Sequence, residues 1–456
     1  MAVQENKMGV MPIKKLIINM SLPMMASMLV QALYNIVDSA FVSFYDSRYA
    51  LAAVTLAFPM QNLMFALIGG TAVGVNALLS KSLGEKEFER ADSTANMALL
   101  ITFLTYLVAC TAGFLFAGNF IASQTDTPEV REYGAVYLRI CMTMSFGMYF
   151  QVMLERLLQS TGRTFYSMIS QMTGAVVNII FDPIMIFGLL GFPRLGVAGA
   201  AYATVLGQCV AAAIGLVLNL KRNEEIHFSF RSVITPNLWI IKRIYYVGIP
   251  SILMMAIGSV MTYSINLILG SFRAAADAAQ AVFGAYFKLQ SFFFMPVFGL
   301  NGGLVPILAY NYGARNKSRI DESLNFSIRL AVGIMAVGSL IFECFPAQLL
   351  GLFNASDDLL AMGVPALRII GVHFPLAGVS ITLGSVFQAF SKSGYSLIVS
   401  IARQLVVLIP AAWLMSTLIG VNGVWWAFPI AELMSLAVTV FFFRKLYREK
   451  VMKMQH

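Results

Sequence analysis

Two aspartates stand inside long apolar runs, Asp38 in LVQALYNIVDSAFVSF and Asp182 in MTGAVVNIIFDPIMIFG. An ionisable group at membrane depth costs at least a few kcal/mol, so each is a site hypothesis by default. In a low dielectric a carboxyl favours its protonated form, and a second carboxylate nearby strengthens that preference. Such a pair can carry a proton at physiological pH or hold a small cation through several oxygens. Gln31, Asn35 and Asp38 are spaced by four and then three, which puts them on one helical face. Gln171, Asn178 and Asp182 are spaced by seven and then four and share another. Asn178 and the hydroxyl of Thr204 can complete an oxygen shell for the two acids, with Gln31 and Asn35 on the wall of a substrate cavity. The competing readings are structural. Asp38 would be a hydrogen-bonded packing contact, and Asp182, just before Pro183, would cap a broken helix.

The elements that must position these residues are membrane spans. Of the 456 residues 59% are hydrophobic and only 12% charged, against about 25% charge in soluble domains. Mean hydropathy is +0.77. These values exclude a soluble, disordered, collagen-like or disulfide-stapled chain. The net charge of +9 sits in short clusters between apolar runs and not on one face, so a nucleic-acid partner is excluded. Cys110, Cys141, Cys209 and Cys344 lie singly in apolar runs without CxxC spacing, so no structural metal is expected. The first apolar run is too long for a cleaved signal and reads as a retained helix.

Runs of about 20 apolar residues define spans. They fall near 16–44, 53–80, 92–117, 132–158, 164–190 and 195–219, then near 240–271, 280–310, 321–346, 361–390, 394–416 and 420–443. That makes twelve in an all-α polytopic membrane protein, with both termini on one side. One set of loops and ends holds Lys14, Lys15, Lys81, Arg90, Arg163, Lys221, Arg222, Arg315, Lys392, Arg444 and Lys445, among others. The opposite set holds only Arg48, Arg131, Arg194 and Arg273. Because cytoplasmic loops retain Lys and Arg, both termini and the polar segment KRNEEIHFSFRSVITPN (221–237) are expected in the cytoplasm of an inner-membrane protein. Asp38 lies about 33 Å and Asp182 about 27 Å along helices that run outward, so both reach the outer half.

The chain also repeats itself. GVNALLSKSLGEKEFERA (74–91) matches GLVPILAYNYGARNKSRI (303–320), with Gly84 on Gly313 (313 − 84 = 229). LLQSTGRTFYSMI (157–169) matches SVFQAFSKSGYSLI (385–398), and LGVAGAAYA (195–203) matches IGVNGVWWA (419–427). Six spans separate the copies, so the halves share one orientation and are related by a pseudo-two-fold axis along the membrane normal. Such repeats mark secondary transporters that place the substrate between halves. The expected organisation is an amino lobe over 1–220, a linker over 221–238 and a carboxyl lobe over 239–456.

At these residues the chain resembles the multidrug and toxic compound extrusion (MATE) family. The resemblance covers nearly the whole chain and rests on the repeat, SLP opening the first span, NIVD (35–38), NIIFDP (178–183), GVAGAAYAT (196–204) and NYGA (311–314). NIVD and NIIFDP resemble the DinF-like branch, and NYGA resembles MepA-like exporters. The resemblance implies a monomeric exporter of amphipathic, often cationic, compounds that exchanges them for protons or sodium ions and uses no other cofactor. It implies that Asp38 and Asp182 form an amino-lobe ion site with Asn178 and Thr204 as accessory ligands, and that Tyr137 faces the cavity. A NorM-like branch places acids in the seventh and tenth spans, where this chain has none. Proton coupling is favoured over sodium.

Met64, Met254 and Phe287 are assigned to the apolar cavity wall, since soft and aromatic surfaces suit varied ligands. Glu155 and Arg156 read as an interfacial ion pair, and Lys288 or Arg403 as a partner for Glu432. His373 reads as a packed residue. Two rivals remain at this point. A lipid-linked precursor flippase of similar fold would need a more cationic cavity. An intramembrane enzyme would need catalytic residues, and HExxH, GxSxG and a paired His–carboxylate motif are all missing.

Overall fold

In a computed structural model, the described residues are 6–45, 49–272, 275–352 and 357–454, without the side chains of Asn35, Ile36, Ser39, Ala40, Ser43, Leu51, Phe230, Asp277 and Asp358. Arg48 and Arg273, counted above for orientation, lie outside them. Among the described residues the chain is helical, with no strand. A lipid-embedded backbone must satisfy its own N–H and C=O groups, and helices do this within one segment.

Among the described residues ten helices are each long and apolar enough to cross a membrane, including Ile13–Tyr34, Ala52–Gly84, Thr164–Phe187 and Val197–Arg222. The tenth expected span is a bent pair, Leu359–Gly371 and Phe374–Ala389, turning by 46°. Pro375, without an N–H, sits at the start of its second piece. The fourth expected span is also divided, into Pro128–Thr143 and Phe146–Ser160. Among the described residues this pair does not qualify as one apolar crossing. Its charges explain why: Glu129, Arg131, Glu132, Arg139, Glu155 and Arg156 dilute the apolar run. The two breaks fall at equivalent positions (374 − 146 = 228), so the duplication extends to the irregularities.

The helices gather into two compact units, one of Met1–Met25 with Ile249–His456 and one of Ala26–Gly248. The contact boundaries therefore fall inside the first and seventh helices, Ile13–Tyr45 and Leu238–Gly270, and not at the linker. Glycines make this possible. In the unit containing 249–456, an added Cβ on Gly299 would come within 2.6 Å of the Met25 backbone, and one on Gly303 within 2.6 Å of Ser21 Oγ. Ser21 Oγ donates to the Leu300 carbonyl at 3.2 Å there. In the other unit Gly74, the repeat counterpart of Gly303 (303 − 74 = 229), lies against the backbone of Ile244 and Gly248.

The membrane-surface ties repeat as well. Arg319 Nε donates to Asn311 Oδ1 at 3.2 Å, and Arg90 Nε to Ser82 Oγ at 2.9 Å (319 − 90 = 229; 311 − 82 = 229). Arg319 Nη2 also donates to the carbonyls of Met8 and Met11, at 3.0 and 2.8 Å, fixing the short helix Lys7–Val10. Asp92 accepts from the His227 amide at 2.7 Å, and Asp321 from the Tyr447 hydroxyl at 2.6 Å (321 − 92 = 229). Equivalent aspartates thus hold the segments that follow the helices Val197–Arg222 and Val421–Leu446.

Candidate functional site

The candidate site lies in the unit Ala26–Gly248, where the fifth and sixth helices, Thr164–Phe187 and Val197–Arg222, approach closely. Glycines set the distance. A Cβ on Gly207 would come within 2.6 Å of the Gly174 carbonyl oxygen and 3.1 Å of Asn178 Cβ, and one on Gly174 within 2.8 Å of Ala211 Cβ. Without side chains at these positions the two backbones touch, and Asn178 reaches Thr204. Gly207→Val is therefore expected to separate the helices at an overpacking cost of about 1–3 kcal/mol. A thermal melt of the purified protein should fall by several degrees, whereas an unchanged melt would show that the close approach is not required. The fifth helix runs unbroken through Pro183 and ends at Gly188 with φ 75°, so Asp182 does not cap a broken helix. The proline removes one internal hydrogen bond, and burial against the sixth helix keeps the segment continuous.

Asp182, Asn178 and Thr204 are all buried. Asn178 Nδ2 donates to Asp182 Oδ1 at 3.2 Å and to Thr204 Oγ1 at 3.3 Å. Asp38, from the first helix, brings its carboxyl into hydrogen-bonding reach of Asp182. Three acceptor oxygens in this cluster are buried without a donor: Asp38 Oδ1, Asp182 Oδ2 and Asn178 Oδ1. A buried acceptor without a donor costs about 1–3 kcal/mol, more when charged. Oxygens facing one another with too few donors suit a species that brings positive charge, a proton or a small cation. Among the described residues no group of three or more His, Cys, Asp or Glu could hold a metal ion.

The four residues expected at the ion site are therefore brought together. Gln31 is also in this unit, accepting from Gln171 Nε2 at 3.1 Å, so the two polar stripes meet there. The side chain of Asn35 lies outside the described residues. Tyr137 is buried, with its hydroxyl accepting from Gln61 Nε2 at 3.4 Å, and Met64 is buried one turn beyond Gln61. Gln61 Nε2 also approaches Cys141 Sγ at 3.6 Å. Tyr34 lies near Asp38, Asp182 and Cys141. Sequence reasoning missed Tyr34, Gln61 and Cys141. Tyr34 was within reach, since it precedes Asp38 by four residues on the same face.

Other charged residues take different places. Glu155 is buried and accepts from Gln151 Nε2 at 3.0 Å and Ser170 Oγ at 3.4 Å, while Arg156 Nε is buried without a partner. It is not the interfacial ion pair that adjacency suggested, because successive helical residues point in different directions. In the unit containing 249–456, Glu432 pairs with Arg403 at 3.2 Å. Met254 and Phe287 belong to that unit and are half-buried. Phe287 meets Phe283 edge-on at 5.0 Å between ring centroids. His373 is packed, its Nδ1 2.5 Å from the Ile370 carbonyl oxygen and its ring against Phe374 and Phe428.

A family model described as MatE matches residues 23–184 and 250–414. The chain is 26% identical over 428 residues to the multidrug export protein MepA of Staphylococcus haemolyticus, covering 94% of this chain and 92% of the relative. It superposes on the outward-facing conformation of a multidrug resistance MATE family transporter of the MOP superfamily with a TM-score of 0.91. That match has 26% identity and covers 98% of this chain and 99% of the other. The solved structure of the MATE multidrug transporter DinF-BH matches with a TM-score of 0.88 and 30% identity over 98% of this chain and 99% of the other.

Proposed function

Since the chain belongs to the MatE family, and so is a multi-pass transporter and not an enzyme, we propose that it exports amphipathic, often cationic, organic compounds in exchange for an inward-moving cation. The observation that carries this reading is the buried cluster of Asp38, Asp182, Asn178 and Thr204, with three acceptor oxygens lacking donors inside an apolar unit. The relatives named for multidrug export support the substrate class, and none of these names favours the flippase alternative.

The mechanism is alternating access. A proton between Asp38 and Asp182 removes the repulsion of two carboxylates in a low dielectric. Its loss restores that repulsion. If the outward- and inward-open states differ in their affinity for the proton, its gradient shifts their populations, and a substrate with the opposite preference is carried the other way. Nothing beyond that difference in affinity is required for coupling. The protein acts as a monomer in the inner membrane, with both termini in the cytoplasm as the Lys and Arg distribution supports. It uses no cofactor apart from the coupling ion.

Everted membrane vesicles containing the protein should take up a cationic xanthene dye when energised and release it when the ion gradients are collapsed. Uptake no greater than in vesicles without the protein would remove the export reading.

A further inference from the structure

The last span ends in a basic segment that the exchange of cations does not use. Arg444, Lys445, Arg448, Lys450 and Lys453 fall at the end of the helix Val421–Leu446, in the wide turn Tyr447–Val451 that continues it, and just beyond. All five are exposed, and among the described residues none of them forms an ion pair. Glu449 is the one acid between them.

The turn keeps these charges outside. In a regular α-helix Lys450 would follow Leu446 on the same face, four residues on. Leu446 is fully buried, in a core with Leu304, Leu308, Ile320, Leu324 and Phe390, where a charge would be costly. The Met452 N–H instead donates to the Tyr447 carbonyl at 3.0 Å, a bond spanning five residues that widens the turn. Val451, five residues past Leu446, takes the buried place, and Lys450 stays exposed. The Tyr447 hydroxyl, donating to Asp321 Oδ1 at 2.6 Å, fixes the rotation of the segment.

A second observation shows what the basic residues meet. One exposed row runs along the helix through Trp426, Ile430, Leu433, Ala437 and Phe441, at helical spacing, and continues into Arg444, Lys445 and Arg448. The apolar part carries no polar side chain, as contact with acyl chains requires, and Phe441 is 64% exposed. From Trp426 to Arg444 the helix rises about 27 Å, against a hydrocarbon core of about 30 Å. The tryptophan and the arginine therefore stand at the two interfaces. The face that meets acyl chains meets the headgroups of the same lipids one turn later. The amino half lacks this segment. At the offset of the sixth and twelfth spans (423 − 199 = 224), Arg444, Arg448, Lys450 and Lys453 correspond to Leu220, Glu224, Ile226 and Ser229. The cluster is not a by-product of the duplication.

We infer that Arg444, Lys445 and Arg448, with Lys450 and Lys453 beside them, form a binding site for the phosphate headgroup of anionic phospholipids. Each Lys or Arg next to a span attracts acidic lipid by about fivefold, and the Arg fork suits phosphate oxygens. The inference does not depend on the export reading. The expected cytoplasmic position of the carboxyl terminus makes the leaflet the inner one.

The test is native mass spectrometry of the detergent-solubilised full-length protein, titrated with phosphatidylglycerol or with phosphatidylcholine of the same acyl chains. The wild-type protein should prefer phosphatidylglycerol by about tenfold or more, and Arg444→Gln/Lys445→Gln/Arg448→Gln should reduce that preference to about twofold. Arg444→Lys/Arg448→Lys keeps the charge and should keep most of the preference. Lys86→Gln/Lys221→Gln/Arg222→Gln removes as much charge from the other unit and should leave the preference intact. All the substituted side chains are exposed, so each variant is expected to fold. Glycerol phosphate in large excess should not displace the lipid, because it lacks the chains that lie along the Phe441 row; displacement would assign the cluster to a free phosphate compound and reject the lipid site. Equal binding of the two lipids by the wild-type protein, survival of the preference in the first triple variant, or its equal loss in the second would each overturn the inference.

Discussion

Asp38→Asn is expected to abolish gradient-driven export while leaving a folded, membrane-inserted protein. The amide nearly preserves the shape of the carboxyl but cannot exchange a proton. Its effect should therefore fall on coupling and not on packing. Coupling free energies of about 1–3 kcal/mol correspond to factors of about 5–150, so a fall on the order of a hundredfold in transport per inserted molecule is the expected scale. The contrast is with Glu432→Gln. That residue lies in the unit containing 249–456, with Arg403 as its ionic partner, and its change should alter substrate range and leave ion dependence in place. The repeat supports this division. Asp38 corresponds to Ile265, a buried apolar residue, so the duplicated position no longer carries duplicated chemistry (265 − 38 = 227). An Asp38→Asn variant that exports at near wild-type rate, beside an ion-uncoupled Glu432→Gln, would place the coupling in the other unit.

A sodium gradient imposed at equal internal and external pH should drive little export. The sign follows from the geometry. Two carboxyl groups in reach of each other, each with an oxygen lacking a donor, are joined most directly by a single proton. Acidifying the external side should load that proton from outside, so export should rise as external pH falls at fixed internal pH. One pH unit supplies about 1.4 kcal/mol, or a tenfold bias. Proteoliposomes with a one-unit gradient, acidic on the side equivalent to the exterior, should therefore outpace those with sodium alone by about tenfold. Robust export on the sodium gradient, abolished when sodium is equalised, would assign the cluster to sodium. In that case Asn178 Oδ1 and Thr204 Oγ1 would join the carboxylates as its oxygen ligands.

Both experiments address a site whose members were legible one by one. Asp38 and Asp182 announce themselves because a charge in an apolar run is costly enough to need a reason. Gln31, Gln171 and Asn178 follow from helical periodicity, and Thr204 from its hydroxyl and the family resemblance of GVAGAAYAT. Gln61 and Cys141 do not announce themselves. They lie on the second span and the first piece of the fourth, and only packing brings them beside Tyr137. Arg403 and Glu432 are similar: each was visible as an intramembrane charge, but Lys288 competed with Arg403 for the acid until the eleventh and twelfth helices were seen together.

Membrane class, the order of the spans and the internal repeat can all be read from residue order alone. Lipid demands about 20 apolar residues with their backbone bonds satisfied locally, and that demand is written in consecutive residues. The repeat is equally plain, and the paired ties of Arg90 with Ser82 and Arg319 with Asn311 keep its 229-residue offset. Where the compact units divide is a different matter, visible only in the folded chain. Residues up to Met25 belong with 249–456, and those from Ala26 to Gly248 form the other unit, because Gly299, Gly303 and Gly74 let helices distant in sequence touch. The breaks in the fourth and tenth spans and the meeting of Gly174 with Gly207 emerge at the same level. A missing Cβ has no hydropathy to read. Its consequence exists only when another backbone occupies the space, and that depends on contacts between residues far apart in the chain.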